Sequence, residues 1–251
     1  KGQDQPMTLR AIVRGVGHYL PDRIVPNLEF EATLDTTDEW IKTRSGIECR
    51  HFAAPDEFTS DLGTKAAQAA LDMAGLSANE IDAVIISTAD FQHALHTVQA
   101  ANAKKDVYVE KPFAETMDDA RIGLKAVNEA GIVLQVGSQR RSGRNYHAAN
   151  KFIKEGKFGD LVMVEMSWNV NQPGRWRLPQ LTKEIRESDT DWKRYLMNRP
   201  YEAWDPRKYL EYRLFWPYSS GIPGQWMSHQ IDTVHWFSGL NHPRSVAANG
   251  G

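Results

Sequence analysis

A lysine lies at the end of a short apolar run, where it could move a proton. Glu110-Lys111-Pro112 directly follows Val107-Tyr108-Val109. In an open parallel sheet, the carboxyl ends of the strands border the ligand crevice. A lysine there can accept a proton from a hydroxyl group if burial lowers its pKa, and the following proline biases its backbone toward an extended conformation. The tripeptide alone favours the simpler alternative, a lysine that stays in water.

Two further patterns resemble binding motifs only loosely. His229, Asp232 and His235 recur at every third position of a predicted helix, but side chains three apart drift around a helix, so we predict no metal site. Gly15-Val16-Gly17-His18-Tyr19-Leu20 matches the dinucleotide fingerprint except at its third glycine. Pro21 follows it where a helix is needed to receive the pyrophosphate, so a plain strand and turn is the favoured interpretation.

The elements that would position Lys111 alternate between short apolar strands and helices, which is typical of a parallel α/β sheet. Predicted strands are Leu9–Val16, Asp82–Ser87, Asp106–Val109 and Ile132–Val136, and predicted helices are Ser60–Ala74, with Ser60 as its N-cap, His93–Ala103 and Thr116–Ala130. Thr37 is expected to begin another helix. After Gly137 we expect a helix over Tyr146–Glu155, a strand over Leu161–Val170, an aperiodic Pro/Trp/Arg-rich stretch over Gln172–Pro223, and a helix over Gln225–Phe237.

Composition excludes several classes of function. The formal net charge of −2 gives no basic footprint for nucleic acid, and the apolar runs are too short to span a bilayer. One cysteine, Cys49, permits no internal disulfide, so we expect a cytoplasmic protein. The chain begins at Lys1 and ends at Gly251, and both ends look cut, so we expect a fragment.

The amino-terminal segment, about residues 7–87, resembles the start of β-ketoacyl-acyl carrier protein synthase III. The resemblance rests on Gly15–Pro21, Thr37–Ile41, Arg44–Ile47 and Arg50–Ala53. It implies that Trp40 and Arg44 help to hold coenzyme A, through an aromatic face and a guanidinium group. That family's nucleophilic cysteine lies beyond the matched segment, and Cys49 is expected to be an ordinary thiol.

The remainder, about residues 82–251, resembles the glucose–fructose oxidoreductase and inositol dehydrogenase family. The resemblance rests on Asp82–Asp90 with His93, Val107–Pro112, Gly137–Arg141, and the helix with His229 and Asp232. With this resemblance, the favoured interpretation of Lys111 changes from a lysine that stays in water to a functional residue. It implies Lys111 and His229 as catalytic residues, Thr88, Asp90, His93, Glu110 and Lys111 at NAD or NADP, and Arg140, Gln225 and Asp232 at the substrate. The family often carries aspartate where Gln225 stands, and an amide cannot act as a base.

The resemblance also implies which parts are missing. The strand, glycine-rich turn and helix that would grip a pyrophosphate are replaced by the synthase-like segment. We therefore expect an α/β chain with an incomplete Rossmann-like sheet and a truncated α+β substrate domain, divided at 1–87, 88–136 and 137–251. Seven of the eight tryptophans fall between Trp168 and Trp236. They could stack on the apolar faces of a sugar, but packing between the sheet and the loops is the favoured interpretation.

The resulting hypothesis is a nicotinamide-dependent oxidoreductase, as a fragment or a fusion. It would act on a sugar-like or cyclitol secondary alcohol and be impaired by loss of the phosphate loop. The alternatives are a fragment of β-ketoacyl-acyl carrier protein synthase III and a non-catalytic protein that binds coenzyme A or a sugar. The expected partner is a small sugar-like molecule, with neither nucleic acid nor membrane, and assembly into a homo-oligomer stays open.

Overall fold

The computed structural model describes residues 12–168, 174–216 and 218–247. Its contacts divide the chain into two compact units. The first contains the described residues up to Ile81 together with Ser188–Asp191, and the second contains the described residues of 82–187 and 192–247.

The described residues of the first unit form a small antiparallel sheet, three α-helices and a short 3-10 helix over Ala78–Glu80. Its elements are β1 (Arg23–Pro26), α1 (Asn27–Glu31), α2 (Asp38–Ser45), β2 (Cys49–Phe52) and α3 (Thr59–Ala74). The two strands pair with each other. Thr37 begins α2 as predicted, since its hydroxyl accepts a hydrogen bond from the Trp40 amide at 3.1 Å. The predicted N-cap at Ser60 is wrong: Phe58 occupies that position, and its amide donates to the Asp61 carboxylate at 2.9 Å.

The predicted strand over Leu9–Val16 is wrong in its described part, because residues 12–20 form no regular element. This segment lies directly against α3. A Cβ atom at Gly15 would fall 2.2 Å from the carbonyl oxygen of Ala70, and one at Gly17 would fall 2.0 Å from that of Ala66. These glycines therefore permit close packing of two backbones, and no helix follows them to receive a phosphate.

The second unit contains a three-stranded parallel sheet, which confirms the α/β prediction. Strands β3 (Ala83–Ile86), β4 (Asp106–Glu110) and β5 (Leu134–Gly137) lie in that order. Helices α4 (His93–Asn102) and α5 (Met117–Ala130) connect them. All five elements match their predicted positions to within about two residues, which is the normal uncertainty at element ends.

One face of this sheet is covered and the other is open. Ile86, Val107 and Val109 pack with Ala100 of α4 in a buried core. On the opposite face, Ile85 lies beside Tyr108 and is 76% exposed. Parallel sheets normally bury both faces, so the open face agrees with an incomplete Rossmann-like sheet.

The described residues after β5 form helices and loops. They comprise α6 (Arg144–Lys154), α7 (Leu181–Glu184), α8 (Trp192–Leu196), α9 (Pro206–Leu210) and α10 (Ser228–Ser238), which follows a π-helical turn over Pro223–Met227. The strand predicted over Leu161–Val170 is wrong for 161–168, which form no element; the last two positions lie outside the described residues. An alternating sequence forms a strand only beside a partner, and this segment has none among the described residues.

An aromatic cluster joins Phe91, which lies between β3 and α4, to this second part of the unit. Phe91, Trp192, Leu196 and Tyr218 are each at most 3% exposed and pack together. Packing is thus the role of Trp192, as predicted.

Among the described residues, no helix is long and apolar enough to cross a membrane.

Candidate functional site

A cavity of about 240 Å³ opens where β3 and β4 end. Strand β3 ends at Ile86 and β4 at Glu110, so the residues that follow them line the cavity. The lining residues are Ser87, Thr88, Asp90, His93, Glu110, Lys111, Pro112, Trp176, Tyr212, Arg213, Gln225 and Trp226. All five residues assigned from the sequence to the cofactor are among them, and so is Gln225.

Lys111 is held by a backbone group from a distant part of the unit. Its Nζ atom donates a hydrogen bond to the carbonyl oxygen of Gln225 at 2.5 Å. Burial lowers the pKa of Lys111, while the carboxylates of Glu110 and Asp90 oppose that shift. The side chain is therefore positioned in the cavity and more easily deprotonated than a lysine in water.

Gln225 and Asp90 form a buried polar pair beneath Lys111. The amide nitrogen of Gln225 lies 3.1 Å from the Asp90 carboxylate and 2.6 Å from the hydroxyl oxygen of Ser219. Asp90 is 6% exposed and Gln225 is 8% exposed. The glutamine amide thus supplies a donor to a buried carboxylate, which a carboxylate at position 225 could not do.

His93 has a structural position in the wall of the cavity. The residue is 2% exposed. Its Nδ1 lies 2.7 Å from the carbonyl oxygen of Pro112, and its Nε2 lies 3.1 Å from that of Thr88. Each ring nitrogen therefore faces a backbone carbonyl oxygen, and the nitrogen that carries the proton donates to its partner, so His93 lies between the residues after β3 and those after β4.

His229 lies near Lys111 but does not line the cavity. Its ring stacks on Trp168, with centroids 6.0 Å apart, and the guanidinium carbon of Arg140 lies 5.5 Å from the same indole centroid. Burial lowers the pKa of His229, and the charges of Lys111 and Arg140 lower it further, against the opposing effect of Asp232. The described residues offer no hydrogen bond to its ring nitrogens, which leaves the ring able to meet a ligand.

The other two predicted substrate residues lie outside the cavity lining. Asp232 forms a bidentate ion pair with Arg141, with nitrogen–oxygen distances of 2.7 to 2.9 Å. Arg140 stacks on Tyr146 as well as on Trp168. His235 contacts the carbonyl oxygen of Leu240 at 2.6 Å. No group of acidic, histidine or cysteine side chains in the described ranges is arranged to hold a metal ion.

Sequence reasoning missed one charged residue of the cavity, Arg213. Its guanidinium carbon lies 4.6 Å from the ring centroids of both Trp176 and Tyr212. Arg213 belongs to the aperiodic stretch, in which nothing local shows that it faces Lys111. The only signal was the density of aromatic and arginine residues in that stretch.

In the first unit, Trp40 lies beside a separate hollow of about 510 Å³ that Arg50 also lines. Its indole is 58% exposed, and the guanidinium carbon of Arg44 lies 5.7 Å from the indole centroid. Cys49 is exposed. An exposed indole with a cation beside it has the chemistry to stack on a base and to pair with a phosphate.

The cavity at Lys111 fits the nicotinamide end of a dinucleotide better than its phosphates. Thr88, Glu110 and Lys111 offer hydroxyl, carboxylate and amine groups at the carboxyl edge of a parallel sheet, which is where such sheets bind ligands. A glycine-rich turn that leads from a strand into a helix is not found among the described residues. Gly15 and Gly17 are occupied by their contact with α3.

Comparison with known proteins gives a mixed resemblance. The model of an oxidoreductase family with an NAD-binding Rossmann fold, the Gfo/Idh/MocA family, matches residues 30–138. β-Ketoacyl-acyl carrier protein synthase III of Cereibacter sphaeroides is 65% identical over 99 residues, which are 38% of this chain and 31% of that protein. The same enzyme of Roseobacter denitrificans is 63% identical over 140 residues, 54% of this chain and 42% of that protein. The chain thus spans less than half the length of these relatives.

Solved structures of two dehydrogenases resemble the chain over about a third of its length. The apo scyllo-inositol dehydrogenase of Lactobacillus casei is 29% identical, covering 32% of this chain and 24% of that one, with a TM-score of 0.31. The WlbA dehydrogenase of Bordetella pertussis, in complex with NADH and UDP-GlcNAcA, is also 29% identical, covering 38% and 31%, with a TM-score of 0.34. The predicted double resemblance is confirmed by the family model and by the synthase relatives together.

Proposed function

We propose that the second unit is the catalytic remnant of a nicotinamide-dependent oxidoreductase that oxidises a secondary alcohol of a sugar or cyclitol. The observation that carries the proposal is the position of Lys111. It stands at the end of β4 in a cavity, half-buried, with a lowered pKa and with Thr88 and Glu110 beside it. The match to an NAD-binding oxidoreductase family over residues 30–138 supports the same assignment.

In this proposal Lys111 removes the proton of the substrate hydroxyl. A nicotinamide, when bound, supplies the acceptor for the hydride of the same carbon. The Nζ atom must be neutral to act as a base, and burial favours the neutral amine. Its hydrogen bond to the Gln225 carbonyl oxygen holds the amine in place before the proton is transferred.

His229 would assist Lys111, as a group that passes the proton onward. Burial lowers the pKa of His229, so the imidazole is neutral at physiological pH and able to accept a proton. Gln225 would serve as a hydrogen-bonding residue. Asp232 would act on His229 from its ion pair with Arg141.

The test is a turnover assay on the full chain, with NAD⁺ and NADP⁺ each offered with D-glucose and myo-inositol. Reduced nicotinamide is followed by absorbance, and its binding is followed separately by fluorescence. We expect the folded chain to bind the reduced cofactor and to oxidise the substrate slowly. Both activities should be absent when the chain is unfolded. Lys111→Met should retain binding and lose oxidation, whereas Lys125→Met, in an exposed ion pair with Glu129, should retain both. Equal oxidation by the two variants would exclude the role of Lys111.

A second candidate function rests on the first unit. The exposed Trp40, with Arg44 stacked near it and a hollow of about 510 Å³ alongside, supports binding of coenzyme A. The resemblance of this unit to β-ketoacyl-acyl carrier protein synthase III agrees with that function. Coenzyme A binding that disappears in Trp40→Ala is the expected result, and binding unaffected by that change would exclude the site.

A further inference from the structure

Arg213 is the cation of the Lys111 cavity that the proposed proton transfer does not use. It lies in the single turn Tyr212–Leu214, is half-buried, and lines the cavity. Trp176 and Tyr212 both contact its guanidinium group, at 4.6 Å each. Contacts with aromatic rings use no N–H group of the guanidinium, so those groups stay available as donors.

Those donors have no acceptor in the part of the chain that the structure describes. Two other arginines of this part of the chain differ in this respect: Arg207 pairs with Glu211 at 3.0 Å, and Arg199 pairs with Glu115 at 2.5 Å. A stacked guanidinium that keeps its planar fork unpaired is prepared to receive a planar, singly charged group. A carboxylate has that shape and charge.

The charges around the cavity favour one negative charge on the ligand over two. With Lys111 as the neutral base of the proposed transfer, Arg213 supplies the positive charge, and the carboxyl groups of Asp90 and Glu110 line the same cavity. Asp90 already accepts a hydrogen bond from Gln225. A carboxylate held by Arg213 adds a single charge beside these groups, whereas a phosphate dianion adds more repulsion from the same two carboxylates.

We propose that Arg213 binds a carboxylate group of the substrate, so that the cavity selects a sugar acid over the corresponding neutral sugar. This inference rests on the proposed function, in which Lys111 acts on a hydroxyl group of the same molecule. Arg213 would fix one end of the sugar acid through two parallel hydrogen bonds. The exposed part of the Trp226 indole, which also lines the cavity, would cover the apolar face of the ring.

The test compares D-glucuronate, D-glucose and D-glucose 6-phosphate as ligands of the full chain by calorimetry, at low salt. We expect glucuronate to bind about tenfold more tightly than glucose, a factor that equals ~1.4 kcal/mol. Arg213→Gln should remove this preference and Arg213→Lys should restore part of it. Arg121→Gln, which changes an exposed arginine that pairs with Asp118, is the matched control and should leave the preference unchanged.

Four results would overturn the inference, and the first three are equal affinity for glucuronate and glucose, an unchanged preference in Arg213→Gln, and tighter binding of the phosphate ester. Absence of binding by all three ligands would also overturn it. A parallel titration with NADH separates this outcome from failure of the proposed function. Arg213-dependent glucuronate binding without NADH binding would reject the oxidoreductase function and retain the carboxylate site. NADH binding without a preference for glucuronate would reject the carboxylate site and retain the oxidoreductase function.

Discussion

The Nζ atom of Lys111 lies 2.5 Å from the carbonyl oxygen of Gln225, and this hydrogen bond joins residues 114 positions apart. Lys111 follows β4, and Gln225 belongs to the π-helical turn before α10. Turns of this kind are frequent at functional sites. The contact places a side chain from the sheet edge against backbone from the helical part of the same unit, and the cavity forms between them.

The pKa of Lys111 is the first quantity that can be measured independently of turnover. Because burial lowers it, we expect titration below the value of about 10.4 found for a free lysine. Any rate that depends on the neutral amine should rise with pH up to that lowered pKa and then level off. Glu110→Gln should lower the pKa further, since the Glu110 carboxylate favours the charged amine.

Nuclear magnetic resonance of labelled lysine side chains makes this measurement. Lys42 provides the internal contrast, because its hydrogen bond to Asp38 raises its pKa. A Lys111 signal that titrates above the Lys42 signal, or one that moves upward in Glu110→Gln, would contradict the described environment of the cavity.

Gln225→Glu should destabilise the second unit. The Gln225 amide donates to the buried Asp90 carboxylate at 3.1 Å, and a glutamate there would replace that donor with a second carboxylate. Leaving a buried charge without its partner costs about 2 kcal/mol or more. Gln225→Met, which removes the donor without adding a charge, should cost less at neutral pH. Chemical denaturation measures both, and equal stability of wild type and Gln225→Glu would count against the pair.

Glu115 should make stability depend on pH. Its side chain is fully buried beside Arg199, and burial raises its pKa to about 7 against the effect of that arginine. The native state then holds a proton that the unfolded state releases near 4.5, so stability should fall as pH rises between those values. The full effect on the free energy of unfolding is on the order of 3 kcal/mol, since one pKa unit corresponds to about 1.4 kcal/mol.

Glu115→Gln tests that dependence. The amide stays neutral and can still accept from Arg199, so the fall in stability between the two pH values should become shallower. Thermal melts of both proteins across this range provide the measurement. Parallel pH profiles would show that Glu115 does not carry the effect.

Two glycine substitutions in the first unit should have opposite effects. Gly17→Ala should destabilise the unit by about 2 kcal/mol or more, because its Cβ atom would fall 2.0 Å from the Ala66 carbonyl oxygen. Gly63 lies inside α3 with open space around it, so Gly63→Ala should stabilise the helix by roughly 0.5–1 kcal/mol. The matched pair is measured by urea unfolding. A Gly17→Ala protein as stable as wild type would contradict the packing of residues 12–20 on α3.

The sheet and its flanking helices could be predicted because their signals are local. Apolar runs such as Val107–Val109 mark buried strands, and Thr116 and Gly131 mark the ends of α5, as the structure confirms. The position of Lys111 at the carboxyl end of β4 follows from the order of these elements. Its contact with Gln225 could not be predicted, since it depends on packing between distant segments.

The errors arise where partners decide the structure. Residues 161–168 alternate like a strand but have no neighbouring strand within the described residues. Ile12, Val13 and Val16 are apolar, yet Gly15 allows this segment to pack on α3 instead of joining a sheet. Arg213 and Trp176 line the cavity because of aromatic packing in a stretch without periodicity. No local pattern in that stretch indicates which of its many arginines faces Lys111.

The central claim is that the edge of the sheet at Lys111 still recognises a nicotinamide. A thermal-shift panel of the full chain with NAD⁺, NADP⁺, NADH, NADPH and coenzyme A tests it most directly, since a ligand of the native state raises the unfolding temperature. We expect a nicotinamide cofactor to raise the unfolding temperature. This shift should be smaller in Thr88→Ala and Glu110→Gln and unchanged in Trp40→Ala. No response to any nicotinamide, with a response to coenzyme A that disappears in Trp40→Ala, would contradict the claim and assign binding to the first unit.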